Sequence, residues 1–278
     1  MHIAVNGAGG RMGRELIRAI VHHQQLSLTG ACVRPGSAAL GRDAGANAGL
    51  DAIGVKITAT AEQAFAKAQA IIDFSAPAAS LACADYAARH GLVHIIGTTG
   101  FSPEEEGHLR RCAEKTAIVQ SGNMSLGVNL LAALVQQAAK ALQHDFDIEI
   151  LEMHHRDKID APSGTALLLA ESAAKGRATD WQKNAIYDRH GAKGARPAGA
   201  IGFASLRGGT IIGEHSVIFA GPGEHITLSH SAERRDIFAA GALAAALWAQ
   251  NKPHGLYAMR DVLGLAQYKE SKQAKRGE

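Results

Sequence analysis

Cysteine is scarce: three in 278 residues, Cys32, Cys83 and Cys112, odd in number, far apart and never in a C-x-x-C pair. That pattern supports neither a disulfide framework nor a cysteine zinc site, and it fits a reducing compartment. Charge of one sign is scarce as well. The net charge is +3 and Lys and Arg are scattered, apart from Lys269 to Arg276 near the end, which reads as a solvated tail. There is no basic stripe for a nucleic acid. No apolar run reaches about 18 residues, and His2-Ile3-Ala4-Val5-Asn6 contains no basic segment leading into an apolar one. Secretion and membrane insertion are disfavoured, and a cytoplasmic protein is expected. Aromatics make up only 5% of the chain, which argues against an aromatic-rich β-sandwich.

What is abundant is alanine and glycine within a chain that is 46% hydrophobic. The length exceeds the commonest single-domain size, so two domains are expected. Short apolar runs alternate with helical patterns: strands at Ile3 to Val5, Leu26 to Val33, Ile71 to Phe74, Val93 to Ile96 and Ala117 to Gln120, with helices between them at Leu16 to Val21, Ala61 to Gln69 and Ala78 to His90. A further helix is announced by Ser102-Pro103-Glu104-Glu105, a capping box with proline at the first helical position. This grammar predicts a Rossmann-type, doubly wound parallel α/β sheet. After Ser121-Gly122-Asn123 the grammar changes to a long helix, Leu126 to Leu142, a strand, Phe146 to Met153, and a helix, Ser163 to Lys175. Three strand-like runs between Ala200 and Ser231, separated by Gly208-Gly209 and Gly221-Pro222-Gly223, read as antiparallel hairpins. The second domain is thus expected to be α+β with a mixed, largely antiparallel sheet. Boundaries are placed at 1–125 for the dinucleotide domain, completed by 236–278, and 126–235 for the second. Arg177 to Gly199 is a Gly-containing excursion without a readable pattern, and the apolar helix Asp236 to Gln250 is expected to return to the first domain.

Gly7-Ala8-Gly9-Gly10-Arg11-Met12-Gly13 lies where a dinucleotide fingerprint belongs, after a first strand and opening a helix. Glycine lets the backbone approach a pyrophosphate, and the helix start offers unpaired N–H groups. In strict G-x-G-x-x-G register the third glycine position falls on Met12; the spacing that holds is Gly7, Gly10, Gly13. The second strand ends in Cys32-Val33-Arg34, without the acid that usually grips the adenine-ribose hydroxyls. Arg34 either grips a 2′-phosphate, favouring NADPH over NADH, or is an ordinary exposed charge. Gly97-Thr98-Thr99-Gly100 follows a buried strand at the carboxyl end of the sheet, where it either lies against a nicotinamide or is a plain loop.

Glu152 to Ala166 concentrates His154, His155, Arg156 and Lys158, then turns through Pro162 into a helix headed by Ser163, Gly164 and Thr165. Cationic side chains beside a helix N-terminus make a seat for carboxylates or phosphates. His154 exchanges protons near neutrality, and Lys158 does so when partly desolvated. The same residues also fit a polar loop and a capped helix. Zinc is disfavoured because H-E-x-x-H is absent and adjacent histidines on a strand face opposite sides, and Ser163 lacks the G-x-S-x-G elbow of a hydrolase. No metal is expected.

Taken together, G-A-G-G-R-M-G, G-T-T-G and H-H-R-D-K-I-D-A-P-S-G-T-A resemble, in order and spacing, the 4-hydroxy-tetrahydrodipicolinate reductase family, formerly called dihydrodipicolinate reductase. Gly213-Glu214-His215 and Met259 to Leu263 add to the likeness. The resemblance implies NAD(P)H-dependent reduction of a small cyclic dicarboxylate on the route to diaminopimelate and lysine, and a homotetramer built through the second sheet. It implies hinges at Ser125 to Val128 and around Arg235. It places cofactor contacts at Gly7, Ala8, Gly9, Gly10, Arg11, Met12, Gly97, Thr98, Thr99, Ser121, Gly122, Asn123 and Met124, and substrate contacts at His155, Gly164 and Thr165. His154 and Lys158 fall on acid/base positions. One departure concerns the cofactor, because relatives that use both NADH and NADPH often carry an acid before the arginine where this chain has Val33. Two rivals remain: a Rossmann-type reductase of another small carboxylate, and an NADPH-sensing regulator without turnover.

Overall fold

A computed structural model describes residues 1–265. Its elements are β1 (His2–Asn6), α1 (Arg11–Val21), β2 (Ser27–Cys32), α2 (Ala44–Asn47), β3 (Ile57–Thr58), α3 (Ala61–Phe65), β4 (Ala70–Asp73), α4 (Pro77–His90), β5 (Val93–Ile96), α5 (Pro103–Ala113) and β6 (Ala117–Gln120). They continue through α6 (Leu126–Leu142), β7 (Asp147–His154), α7 (Gly164–Arg177), β8 (Ala185–Ile186), β9 (Ile201–Arg207), β10 (Gly213–Gly221), β11 (Glu224–Ala232), α8 (Asp236–Ala249), β12 (Gly255–Tyr257) and α9 (Met259–Val262).

The first sheet is wholly parallel, in the order β12-β6-β5-β4-β1-β2-β3. Its strands are apolar on both faces because helices cover both. Ile3, Val5, Ile72 and Ile95 pack with Leu16, Ile17 and Ile20 of α1 and with Ala242, Leu243 and Ala246 of α8 on one side. Ala4 and Ile71 pack with Phe65, Cys83 and Tyr86 on the other. The capping box forms as the sequence predicts: Ser102 Oγ accepts from the Glu105 N–H at 3.2 Å and the Glu105 carboxylate accepts from the Ser102 N–H at 2.7 Å. The order reverses at β1, whose neighbours are β2 and β4, which makes their carboxyl ends the crevice where such sheets take ligands. α3 is shorter than the predicted Ala61 to Gln69, ending at Phe65, and β12 joins the sheet edge beside β6 without a sequence signal strong enough to announce it.

The second sheet has the order β11-β10-β7-β9-β8. β10 is antiparallel to β11 and to β7, whereas β9 is parallel to β7 and to β8. The expected hairpin at Gly221-Pro222-Gly223 is present, but Gly208-Gly209 does not close one: β7 lies between β9 and β10. The local glycine signal marks a reversal in either case, and only the long-range pairing of β7 decides the neighbours. Helices α6 and α7 pack on one face of this sheet through Leu131, Val135, Leu169 and Ala173. The excursion from Arg177 to Gly199 contains a 3₁₀ turn and β8. Arg196 pins it down by pairing with Asp147 and Glu149, both at 2.7 Å, and by donating to the Ile148 and Ala200 carbonyls. Lys269 to Arg276, read as a tail, lies outside the described residues.

Candidate active site

Two clefts lie at the carboxyl ends of the strands. The first, about 670 Å³, runs over the switch point and is lined by Gly7, Gly9 and Gly10 on one side, Val33, Arg34 and Ser37 on another, and Phe74 to Ala76 on the third. Its size is that of a small-molecule or cofactor site. Gly7 has φ +78°, and a Cβ there would fall 2.6 Å from the Phe74 carbonyl oxygen. Gly13, the third glycine of the 7-10-13 spacing, is needed for packing: its Cβ would meet the Gly7 carbonyl at 2.3 Å. α1 starts at this turn with Gly10 as its N-cap and no side-chain cap, so its first-turn N–H groups remain available to an anion. Those observations fit a dinucleotide pyrophosphate. Arg34 is exposed at the rim and Val33 is 5% exposed, offering no acceptor.

The second cleft, about 530 Å³, opens between the two sheets. Met12, Thr99 and Ser121 to Asn123 face it from the first sheet's loops; His154, His155, Lys158 and Ser163 to Thr165 face it from the second; Arg235 and Phe238 close it at the start of α8. Met12 of α1 therefore belongs to one cleft and Gly10 to the other, so the helix start joins them. The Asn123 amide donates to the Thr165 hydroxyl at 3.0 Å, a direct tie between the two walls.

The structure sorts the expected cofactor residues. Of Gly97-Thr98-Thr99, Thr99 reaches the second cleft. Gly97 lies under the Phe74 ring, 2.2 Å from where its Cβ would be, and Thr98 is buried with its hydroxyl accepting from the Ser75 N–H at 3.0 Å. Ala8 and Met124 are core residues, 0% and 1% exposed, and Arg11 is exposed on α1. The substrate seat is sorted too. Ser163 Oγ caps α7 by accepting from the Ala166 N–H at 3.2 Å, and the Ser163 N–H donates to Glu152 at 3.2 Å. Its backbone donor is thereby engaged by Glu152, while Ser163 lines the second cleft beside Gly164 and Thr165. Gly164 and Thr165 open the helix, and space lies where a Gly164 Cβ would project.

Beneath His154 is a cluster that motif reading missed. Along β7 the buried register is Ile148, Ile150, Glu152, His154, so a strand that carries core residues ends by burying a carboxylate and an imidazole on the same face. His154 Nδ1 lies 2.6 Å from Glu152 Oε2, and Arg207 of β9 grips both Glu152 oxygens at 2.8 Å. His215 of β10, directly opposite Glu152, has its Nε2 2.9 Å from Ser163 Oγ and its ring 5.1 Å from that of His154. Burial alone would raise the Glu152 carboxyl, but the hydrogen bonds from Arg207, Ser205 and His154 hold it down to about 2. Burial pushes His154 below the ordinary histidine value despite Glu152, and pushes His215 down to about 4, helped by the neighbouring His154. Lys158 sits at the rim, 2.8 Å from Asp160. The signal available in the sequence was the polar i, i+2 pair closing an apolar alternation.

Two family models match most of the chain: dihydrodipicolinate reductase, N-terminus, over residues 1–124, and dihydrodipicolinate reductase, C-terminus, over residues 127–263. The chain belongs to this family. It is 57% identical over 267 residues to the 4-hydroxy-tetrahydrodipicolinate reductase of Rhizobium rhizogenes (strain K84), covering 96% of this chain and 97% of the other. With that of Bartonella tribocorum it shares 58% over 266 residues, 95% of this chain and 98% of the other. Among solved structures, a dipicolinate-bound dihydrodipicolinate reductase from Paenisporosarcina sp. TG-14 matches with a TM-score of 0.71 at 23% identity, over 93% of this chain and 97% of that one. The last comparison bears on the fold. The family assignment makes the chain an oxidoreductase using NAD(P)H on a small substrate. No helix among the described residues is long and apolar enough to cross a membrane.

Elsewhere, Asp85 of α4 and His108 and Cys112 of α5 bring their ligating atoms within 4.8 Å of one another. His108 and Asp85 are 2.8 Å apart, and the Cys112 thiol donates to Asp85 at 3.5 Å, so the trio stitches the two helices together, away from both clefts.

Proposed function

We propose that this reductase converts 4-hydroxy-tetrahydrodipicolinate, through its dehydrated ring, to tetrahydrodipicolinate, with NADPH preferred and NADH a weaker donor. Family membership supports the reaction, and one observation supports its location: the second cleft brings His154, Lys158 and the α7 start within one cavity with Met12, Thr99 and Asn123. The cofactor, when bound, supplies the hydride.

In this reading Gly7, Gly9, Gly10 and the α1 start hold the pyrophosphate, Arg34 the 2′-phosphate, and Met12, Thr99 and Ser121 to Asn123 the nicotinamide end. Gly164 and Thr165 seat one ring carboxylate through their N–H groups and the Thr165 hydroxyl, which donates forward while accepting from Asn123. His155 helps hold a carboxylate. His154 and Lys158 deliver the proton that completes the reduced ring. A nucleotide sensor has no use for a second cleft with a carboxylate seat facing the first, which favours the enzyme over that rival. The domains are proposed at 1–125 with 236–278, and at 126–235, in a cytoplasmic homotetramer.

His154→Gln and Lys158→Met test the reading. Each is expected to lower turnover by about 10²–10⁴, the usual contribution of a positioned acid, with NADPH affinity nearly intact, while His155→Gln chiefly raises the substrate KM. The double variant should lose less than the product of the single losses, because two neighbouring groups share one task. Ordinary turnover in both single variants would remove the acid role from this loop.

A further inference from the structure

We propose that Glu152, clamped by Arg207, is a positioning residue that fixes the His154 ring with its proton on Nδ1, leaving Nε2 to exchange protons with whatever occupies the second cleft. The inference rests on the reading of His154 as a proton donor, but its structural part stands apart from it. Glu152 is 1% exposed, and its carboxylate is satisfied on every side: Arg207 on both oxygens, His154 on Oε2 and the Ser163 N–H on Oε1. Such a carboxylate has nowhere to rotate, so the imidazole it accepts from is locked as well. Nε2 of His154 makes no hydrogen bond among the described residues, and the ring lines the cleft. A Cβ at Gly213 would lie 3.0 Å from Nε2, so glycine on β10 keeps that side of the ring clear.

The charged and titratable groups facing His154 come from four places. Glu152 on β7 favours the imidazolium; Lys158 in the loop and Arg207 on β9 oppose it, the His215 ring on β10 lies edge-on beside it, and Asp160 pairs with Lys158. Glu152 is the carboxylate that touches the ring, and hydrogen bonds from Arg207, Ser205 and His154 together keep it ionised.

The two partners should therefore act with opposite sign. Glu152→Gln removes the negative charge, so His154 should titrate lower by about one pH unit, the scale of an adjacent opposite charge. Near neutrality that leaves about tenfold less of the protonated ring, and the alkaline limb of the kcat profile should move down with it. Arg207→Gln leaves the carboxylate and takes away a cation, so His154 should titrate higher. The test is a titration of the ¹³C-histidine-labelled full chain with NADPH, the His154 signal assigned by its loss in His154→Gln, alongside the kcat profile of each variant. Opposite shifts in the two variants, with a loss of the fixed tautomer in Glu152→Gln, establish the clamp. An unchanged His154 titration and tautomer in either folded variant, or shifts of the same sign in both, overturn it. Shifts in the ring titration without movement of the kcat limb keep the clamp and refute the donor role of His154. If Glu152→Gln does not fold, Arg207→Gln carries the test alone.

Discussion

Arg34 and Val33 are adjacent at the rim of the first cleft, yet one is exposed and the other buried, and the proposed preference for NADPH rests on that contrast. Arg34→Ala is expected to weaken NADPH by about tenfold or more, the loss of a charge-assisted contact worth about 1.5–3 kcal/mol, with little change for NADH. Titrating both cofactors by fluorescence checks it, and equal losses would remove the 2′-phosphate assignment. Gly164 faces open space, so Gly164→Val should leave the fold intact and block the carboxylate seat, measured as lost affinity for pyridine-2,6-dicarboxylate. His215 gives a prediction about stability. Held at about 4, it takes its proton later in the folded chain than the 6.5 of an ordinary histidine, so acid favours the unfolded chain. Its contribution is complete above about 6.5 and is lost as pH falls to about 4. The melting temperature of His215→Gln should decline less than that of the natural chain between pH 7 and 4; parallel declines would contradict the burial argument. At this scale the motif residues were legible because glycine, proline and paired histidine are rare enough in combination to carry information. Glu152, Arg207 and His215 were not, since their roles come from strands 50 or more residues apart meeting in one register.

At the scale of elements, pattern reading found the parallel sheet because its central strands β1, β4 and β5 are almost wholly buried and a helix such as α5 starts with recognisable chemistry at Ser102. It misplaced β9, where glycines signal a reversal of the chain but not its partner, and it missed β12, three residues paired with β6 whose Tyr257 packs edge-on against Trp248 of α8. α8 is the element that joins the ends of the chain. Its Gly241 lies against the strap before α6, where a Cβ would be 1.8 Å from the Met124 carbonyl oxygen. Gly241→Ala is therefore expected to cost about 1–3 kcal/mol through overpacking. Urea unfolding monitors this, and an unchanged midpoint would mean that the strap moves aside freely.

The whole molecule places the proposed cofactor cleft next to the proposed carboxylate seat, across walls tied by Asn123 and Thr165. Ligands of the two walls should then reinforce each other: pyridine-2,6-dicarboxylate should raise the melting temperature of the NADPH-bound chain more than that of the free chain. The proposed tetramer predicts a light-scattering mass near four times 29.0 kDa. The central claim is the reaction itself. Its most direct measurement generates the unstable substrate in place, from pyruvate and aspartate semialdehyde with the condensing enzyme, and follows NADPH and NADH oxidation in separate cuvettes. Substrate-dependent oxidation of NADPH, faster than that of NADH at equal low concentration, is the predicted result; no substrate-dependent oxidation of either cofactor would contradict the account.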